Sequence, residues 1–276
     1  MSKIQLLVLD IDGTLSGRSN QIEPTVLKAI QAAQQKGIQV AIATGRMYCS
    51  AIRFHQAVNS TLPLMSYQGA LIKDPLTQKL YQHSPLPRQH ALRLLEYLAP
   101  LEAEQALSIH LYIDDRLHVR EIIADTQEYA ARSQIQPIAA GDLRTFLENN
   151  LTLETTKLLA LSPQPEVVRS LLSELRQHYR PEDLYFTSSV STFFEVTSPQ
   201  ANKGAAVKFL AEDLLQLSAD QVMTIGDNFN DLEMIQYAGI GVAMGEAPAG
   251  VQAVAEWIAP SVEQHGVAAA IEEFLL

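Results

Sequence analysis

Cysteine is almost absent. Cys49 stands alone among 276 residues, so no intrachain disulfide and no cysteine-built zinc cluster can form. In a helical stretch a single cysteine reads as a small apolar residue rather than a catalytic thiol, and such usage points to the cytoplasm. Missing too is any apolar run approaching the roughly 20 residues that a bilayer span requires. The run Ile4 to Leu9 is too short for a signal-peptide core and gives way at once to Asp10 and Asp12. Positive charge is scarce: 20 Lys and Arg stand against 31 Asp and Glu, a formal net charge of −11. That balance argues against nucleic acid as a partner, because duplex binding rests on neutralising phosphates. The histidines (55, 83, 90, 110, 118, 178 and 265) show no tight ligand spacing, and surface or structural roles are expected for them. There is no internal repeat and no low-complexity tract. The expected assembly is a monomer or a weak homodimer, with no membrane association.

What is present is alternation. Apolar residues make up 47% and charged residues 18% of the chain, an ordinary balance for a soluble globular protein with a real core. Ile4–Leu9, Ile38–Ala43 and Leu62–Tyr67 read as short buried strands, with helices expected over Pro24–Lys36 and Met47–Val58 between them. Proline near the start and Gly37 past the end bracket the first helix. Ala70–Ile72 and Lys79–Tyr81 flank Asp74-Pro75 as a hairpin. This β-α-β-α-β order predicts a parallel, doubly wound sheet.

The middle of the chain reads differently. After Ser84-Pro85-Leu86-Pro87 come a helix near Pro87–Ala99 and strands near Ala106–Ile113 and Leu117–Glu121, joined by a turn at Asp114-Asp115-Arg116. Helices near Asp125–Ser133, Gly141–Asn149 and Pro165–Tyr179, and strands near Thr155–Leu161, Leu184–Ser188 and Thr192–Val196, complete an α+β segment. From Asn202 the first pattern returns: helix Lys203–Leu215, strand Val222–Ile225, helix Asp231–Tyr237, strand Ile240–Met244, then helices Ala249–Ala255 and Val267–Phe274. The expectation is an α/β core built from residues 1–83 and 198–276, interrupted by an inserted α+β domain at 84–197.

Polar clusters fall where strands end or helices open. Asp10 and Asp12 follow the first strand, at the edge where open α/β sheets place their sites. Two carboxylates two residues apart can converge while doing different jobs, one attacking and the other moving protons or helping to hold a metal. Asp-Gly at 12–13 reads equally well as a turn. Thr44-Gly45-Arg46 follows the second strand. Thr44 could offer a hydroxyl and a backbone N–H to a phosphoryl oxygen, and Arg46 a bidentate contact; a helix cap and turn is the better reading of that cluster alone. Lys203 opens a helix, where its charge opposes the dipole unless an anion compensates. Gly226-Asp227-Asn228-Phe229-Asn230-Asp231 concentrates oxygen donors that suit Mg²⁺.

Taken together, an acid pair, a threonine, a lysine and a second acid pair in this order resemble the haloacid dehalogenase superfamily phosphatases. Gly241-Val242-Ala243-Met244-Gly245 narrows the likeness to the Cof-type branch (subfamily IIB, C2-type cap). The resemblance covers about 1–83 and 198–276 and implies a HAD-like Rossmannoid core with a parallel sheet and an inserted cap. It implies further that Asp10 attacks phosphorus and becomes an aspartyl-phosphate while Asp12 serves as acid and base. Mg²⁺ would be held by the Asp10 carboxylate, the Asp12 carbonyl and Asp227, and Thr44 and Lys203 would bind phosphoryl oxygens. Asn230 would contact the phosphoryl group or orient Asp10; Asp231 would position Lys203 or a metal-bound water. The implied activity is hydrolysis of small phosphate monoesters, sugar phosphates foremost, with nucleotide, flavin or pyridoxal phosphates open. An acid at position 12 favours ester chemistry over dehalogenation, leaving a phosphatase or a phosphomutase, with a non-catalytic phospholigand binder as the third reading. Gln68-Gly69-Ala70 departs from the branch's usual Asn-Gly-Ala, which bears on substrate contacts. Asp114, Asp115, Arg116 and His118 are candidates for substrate choice, though a solvated hairpin turn reads better there.

Overall fold

In a computed structural model of the chain, residues 4–105 and 107–276 are described. Their contacts divide into two compact units: one comprises the residues up to Gly45, Ala51–Gln82 and Asn202–Leu276, the other Arg46–Ser50 and His83–Ala201. The chain opens with β1 (Leu6–Leu9), α1 (Pro24–Gln35), β2 (Gln39–Ile42), α2 (Tyr48–Ala57), β3 (Leu64–Ser66), β4 (Leu71–Lys73) and β5 (Leu80–His83). It continues through α3 (Arg88–Glu104), β6 (Ser108–Ile113), β7 (Arg116–Val119), α4 (Ala124–Ser133), β8 (Ile138–Ala139) and α5 (Leu143–Asn149). After β9 (Thr155–Leu161), α6 (Pro165–His178), β10 (Tyr185–Thr187) and β11 (Phe193–Thr197) come α7 (Lys203–Lys208), β12 (Val222–Gly226) and α8 (Leu232–Tyr237). The chain closes with β13 (Ile240–Ala243), α9 (Ala249–Gln252), β14 (Trp257–Ile258) and α10 (Gly266–Phe274).

The first unit is built on a parallel sheet of order β14-β13-β12-β1-β2. Strands covered on both faces must be apolar throughout, and all four residues of β1 are buried. Pro24 starts α1, whose buried stripe is Val26, Ala29, Ile30 and Ala33, the spacing of one helix face. The third expected strand, β3, meets the parallel sheet through a single bridge between Ala43 and Met65 and pairs antiparallel with β4. It is three residues long because the backbone turns left-handed at Tyr67.

The second unit carries a sheet of order β10-β11-β9-β6-β7-β8, antiparallel except for β7 with β8. The expected start of β6 at Ala106 lies outside the described residues. Helix α3 runs past its expected end to Glu104 with Pro100 inside; the missing N–H falls on an exposed position while Leu101 still packs on the apolar cluster. In the first unit the helix expected to reach Leu215 changes to a π-helix over Phe209–Leu214. The two-residue strands β8 and β14 are too short for a sequence pattern to reveal.

Side chains alternate across β6: Ile109, Leu111 and Ile113 join the apolar cluster, whereas Ser108, His110 and Tyr112 face the other way. That second face holds a buried ion pair, Lys157 with Glu195, at 3% and 0% side-chain exposure. Glu195 also accepts the Ser189 N–H at 2.8 Å. Burial pushes the Glu195 carboxyl up, but the Lys157 charge and the hydrogen bonds from Lys157 and Ser189 outweigh it and hold it below its ordinary 4.5. A depressed carboxyl adds stability above its unfolded value and loses it as pH falls through the folded one. Glu195→Gln removes the carboxylate charge paired with the buried Lys157, and is expected to cost about 3–5 kcal/mol. Urea unfolding at pH 7 measures this, and the gap to wild type should narrow below pH 4.5. An unchanged midpoint at pH 7 would refute it.

Candidate active site

Sheet order brings the polar clusters together. Leu9 pairs with Ile225 on one side and with Ile42 on the other, so the chain leaving β1 runs between the ends of β12 and β2. Asp10 N–H donates to Ile225 O at 3.1 Å, and Ala43 N–H to Leu9 O at 3.1 Å. Asp10 thus sits where the sheet order reverses, the crevice in which open α/β sheets bind ligands. Gly13 (φ +79°) lets the chain turn back under Asp227: a Cβ there would lie 2.2 Å from Asp227 Oδ2.

Lys203 opens α7, with Asn202 capping the helix by accepting the Ala205 N–H at 2.7 Å. Its ammonium is 2.6 Å from Asp10 Oδ1 and 2.5 Å from Asp231 Oδ1, and all three side chains are 5% exposed or less. The unfavourable placement of a cation at a helix start is thereby compensated by two carboxylates. Burial works against the charged form of Lys203, but Asp10 and Asp231 hold it above its ordinary 10.5. Asp231 Oδ2 accepts the N–H groups of Asp227 and Asn228 at 2.9 and 3.2 Å. Both oxygens of Asp231 are therefore committed within the protein. Gly226 makes room for this, since a Cβ there would lie 2.5 Å from that of Asp231.

The carboxylates of Asp10, Asp227 and Asp231 offer oxygens within 4.8 Å of one another. Burial first, then the charge of Asp231, raises Asp10 to about 7 against the pull of Lys203, with Asp12 adding to the rise. The same causes hold Asp227 well above the usual carboxylate range, with Asp10 adding to it. Such a cluster gains from a further positive charge. Its donors are all oxygens, which suits a hard divalent cation. With Asp231 committed, Asp10 and Asp227 are the side chains left to hold one.

The remaining expected residues divide. Thr44 is buried, but its N–H, expected to face a phosphoryl oxygen, donates to Met65 O at 2.9 Å. That expectation is corrected for the N–H: the parallel bridge between Ala43 and Met65 brings the Met65 carbonyl to it and consumes the donor. Gly45 lies against Gln68, whose Nε2 would be 2.4 Å from an added Cβ. Arg46 groups with the second unit, where its charge acts on Tyr129. Asn230 Nδ2 donates to Gln68 Oε1 at 3.2 Å.

The candidates for substrate choice lie in the second unit. Asp114 and Asp115 form a tight left-handed turn between β6 and β7. The Asp115 carboxylate accepts the Cys49 N–H at 2.8 Å, at the start of α2. His118 stacks on Phe146 at 5.5 Å between ring centroids, beside the apolar cluster. His110 is buried, and burial with the Lys157 charge pushes it down to about 3. Partial burial and then Asp115 push the Cys49 thiol up to about 12, so it is no nucleophile at neutral pH. No helix of the described residues is long and apolar enough to cross a membrane.

A parallel sheet with acids gathered at the carboxyl ends of the neighbouring strands β1 and β12 is the site arrangement of an α/β enzyme. The chain belongs to the haloacid dehalogenase-like hydrolases, whose family profile matches residues 7–271. Phosphatase YwpJ of Bacillus subtilis is 26% identical over 293 residues, spanning 99% of this chain and 100% of the relative. The 5-amino-6-(5-phospho-D-ribitylamino)uracil phosphatase YitU of the same organism is 28% identical over 279 residues, 99% and 98% of the two chains. A crystal structure of a haloacid dehalogenase-like hydrolase from Bacteroides thetaiotaomicron superposes with a TM-score of 0.81 at 25% identity, covering 98% of this chain and 99% of that one.

Proposed function

We propose that the chain is a Mg²⁺-dependent phosphatase that hydrolyses small phosphate monoesters, sugar and sugar-alcohol phosphates foremost, through an aspartyl-phosphate on Asp10. The observation that carries this reading is the buried Asp10 carboxylate, held through one oxygen by Lys203 at the end of β1. A carboxylate so fixed can attack phosphorus in line with its other oxygen. The new bond joins Asp10 to phosphorus, and the ester P–O bond breaks. Asp12 lies two residues along, close enough for its charge to act on both Asp10 and Asp227. It gives its proton to the departing alkoxide, then takes one from the water that attacks phosphorus and releases inorganic phosphate. Lys203 and the Thr44 hydroxyl meet the phosphoryl oxygens, where positioning and charge neutralisation do most of the work. Mg²⁺, when bound by the Asp10 carboxylate, the Asp12 carbonyl and Asp227, supplies charge that keeps Asp10 ionised and offsets that of the phosphate.

The name of the ribitylamino-uracil phosphatase relative supports a phosphorylated polyol or sugar as substrate. Residues 84–197 are proposed as the part that recognises the rest of the substrate. The test is phosphate release across a panel of phosphorylated metabolites, with and without Mg²⁺, with isomer formation followed alongside. EDTA should lower release by at least about 100-fold, as expected when the cation neutralises transition-state charge, and added Mg²⁺ should restore it. Undiminished release in EDTA would remove the metal from the reading; isomer without free phosphate would make the chain a mutase.

A further inference from the structure

Three consecutive residues after β3 have positive φ: Tyr67 (52°), Gln68 (60°) and Gly69 (92°). Glycine takes this conformation freely, whereas tyrosine and glutamine do so under strain that the surroundings must hold in place. The segment touches several parts of the first unit's site. Gln68 N–H donates to Thr44 O at 2.9 Å. The Gln68 carboxamide lies against Gly45, leaving no space for a side chain there. A Cβ on Gly69 would lie 2.8 Å from both Ala206 Cβ and Asn202 O, on either side of Lys203 in the chain. Gln68 Oε1 accepts from Asn230 Nδ2 at 3.2 Å, and the two side chains belong to residues 0% and 3% exposed.

Asn230 has a second distinguishing feature. Its Oδ1 is buried and has no hydrogen-bond partner among the described residues. Buried polar atoms are seldom left unmatched, and this one, an acceptor, calls for a donor such as water or a substrate hydroxyl rather than for a phosphate oxygen. Gln68 decides how the Asn230 carboxamide is turned: its carbonyl takes one N–H of Nδ2, and the second N–H of Nδ2 is the donor that Asn230 can offer a phosphoryl oxygen. A side chain one methylene shorter cannot span the same gap from the same backbone.

We propose that Gln68 is a positioning residue for the phosphoryl subsite. It holds Thr44-Gly45 in place through its backbone and carboxamide, and fixes the orientation of Asn230 so that Asn230 meets the bound phosphate. This rests on the phosphatase reading above. It predicts an effect on phosphate binding rather than on the attack by Asp10, whose contacts with Lys203 do not involve Gln68.

The experiment compares wild type, Gln68→Asn, Asn230→Ala and the double variant, using p-nitrophenyl phosphate as substrate and inorganic phosphate as inhibitor. Gln68→Asn should raise KM and the phosphate inhibition constant together by about 10-fold with kcat within about 3-fold, the pattern of lost uniform binding. Asn230→Ala should do the same, and the double variant should lose less than the sum of the two, because the Gln68–Asn230 contact is removed twice. Asparagine suits a left-handed backbone at least as well as glutamine. Gln68→Met keeps the volume without the acceptor and gives the same reading if the shorter side chain unfolds the protein. Unmoved constants in a folded variant, or additive losses in the double, overturn the inference. A wild-type chain that releases no phosphate from any substrate overturns the phosphatase reading and this inference together, whereas an active wild type with unmoved variants overturns this inference alone.

Discussion

Asp10→Asn should lower turnover by about 10³-fold or more, the scale expected when a covalent nucleophile is removed. The substitution preserves the shape of the side chain but replaces one carboxylate oxygen by an amide nitrogen, and the charge that makes the other oxygen nucleophilic is gone. The geometry sharpens the expectation. Asp10 Oδ1 accepts from Lys203 at 2.6 Å, and a neutral amide can keep that bond through its own carbonyl, so the site need not collapse. Burial and Asp231 hold Asp10 up to about 7, so a neutral group at position 10 is easily tolerated and the variant should melt no lower than wild type. Stability and activity therefore part company: turnover falls while the fold stands. Denatured, acid-quenched wild-type protein should also carry labelled phosphate after incubation with a labelled substrate, and Asp10→Asn should carry none. A variant retaining more than about a tenth of wild-type kcat/KM would end the case for Asp10 as nucleophile.

Much of this site is legible in the sequence, for a reason rooted in the fold. Strands of a doubly wound sheet are covered on both faces, so they stand out as unbroken apolar runs, and the chemistry lies where those runs stop. Asp10, Thr44 and Asp227 could be singled out on that ground, and Lys203 by its odd position at a helix start. What the sequence does not show is where long-range neighbours spend their hydrogen bonds. That β12 lies against β1, with Leu9 opposite Ile225, depends on strand order, which no local pattern encodes. The commitment of the Thr44 N–H to Met65 O follows from a single bridge between strands. The Asp115 carboxylate accepts an N–H at a helix start 66 positions away, from Cys49. Gln68 is visible in the sequence only as an unusual amide. Its left-handed backbone and its contact with Asn230, 162 positions away, belong to the folded chain.

Lys203→Met is the second substitution with a large expected effect, and it should strike activity and stability together. In the folded protein the ammonium is 1% exposed and bridges Asp10 and Asp231, at 5% and 0%. Asp231 gives Oδ1 to Lys203, while its other oxygen takes the N–H groups of Asp227 and Asn228. Methionine fills much the same volume, so the loss is of charge and not of packing. Breaking a buried pair by removing one partner costs about 3–5 kcal/mol, because the charge left behind is uncompensated. Here two carboxylates are left behind, with Asp227 close by. The pH dependence has a definite sign. Without the lysine, the pull that lowers Asp10 is gone and Asp10 binds its proton still more tightly folded than unfolded, so the variant loses stability as pH rises above the ordinary aspartate value of 3.8. The gap to wild type should accordingly be small near pH 4 and full at pH 7. A divalent cation should close part of it at pH 7, by taking up the role of the missing charge beside Asp10 and Asp227. Turnover should fall by about 10³-fold at a temperature where circular dichroism shows the variant folded, since loss of a single buried transition-state contact reaches that scale. A melting gap that stays constant from pH 4 to pH 7 would show that Lys203 is not what offsets these carboxylates, and near-normal turnover in the folded variant would remove it from the phosphoryl site.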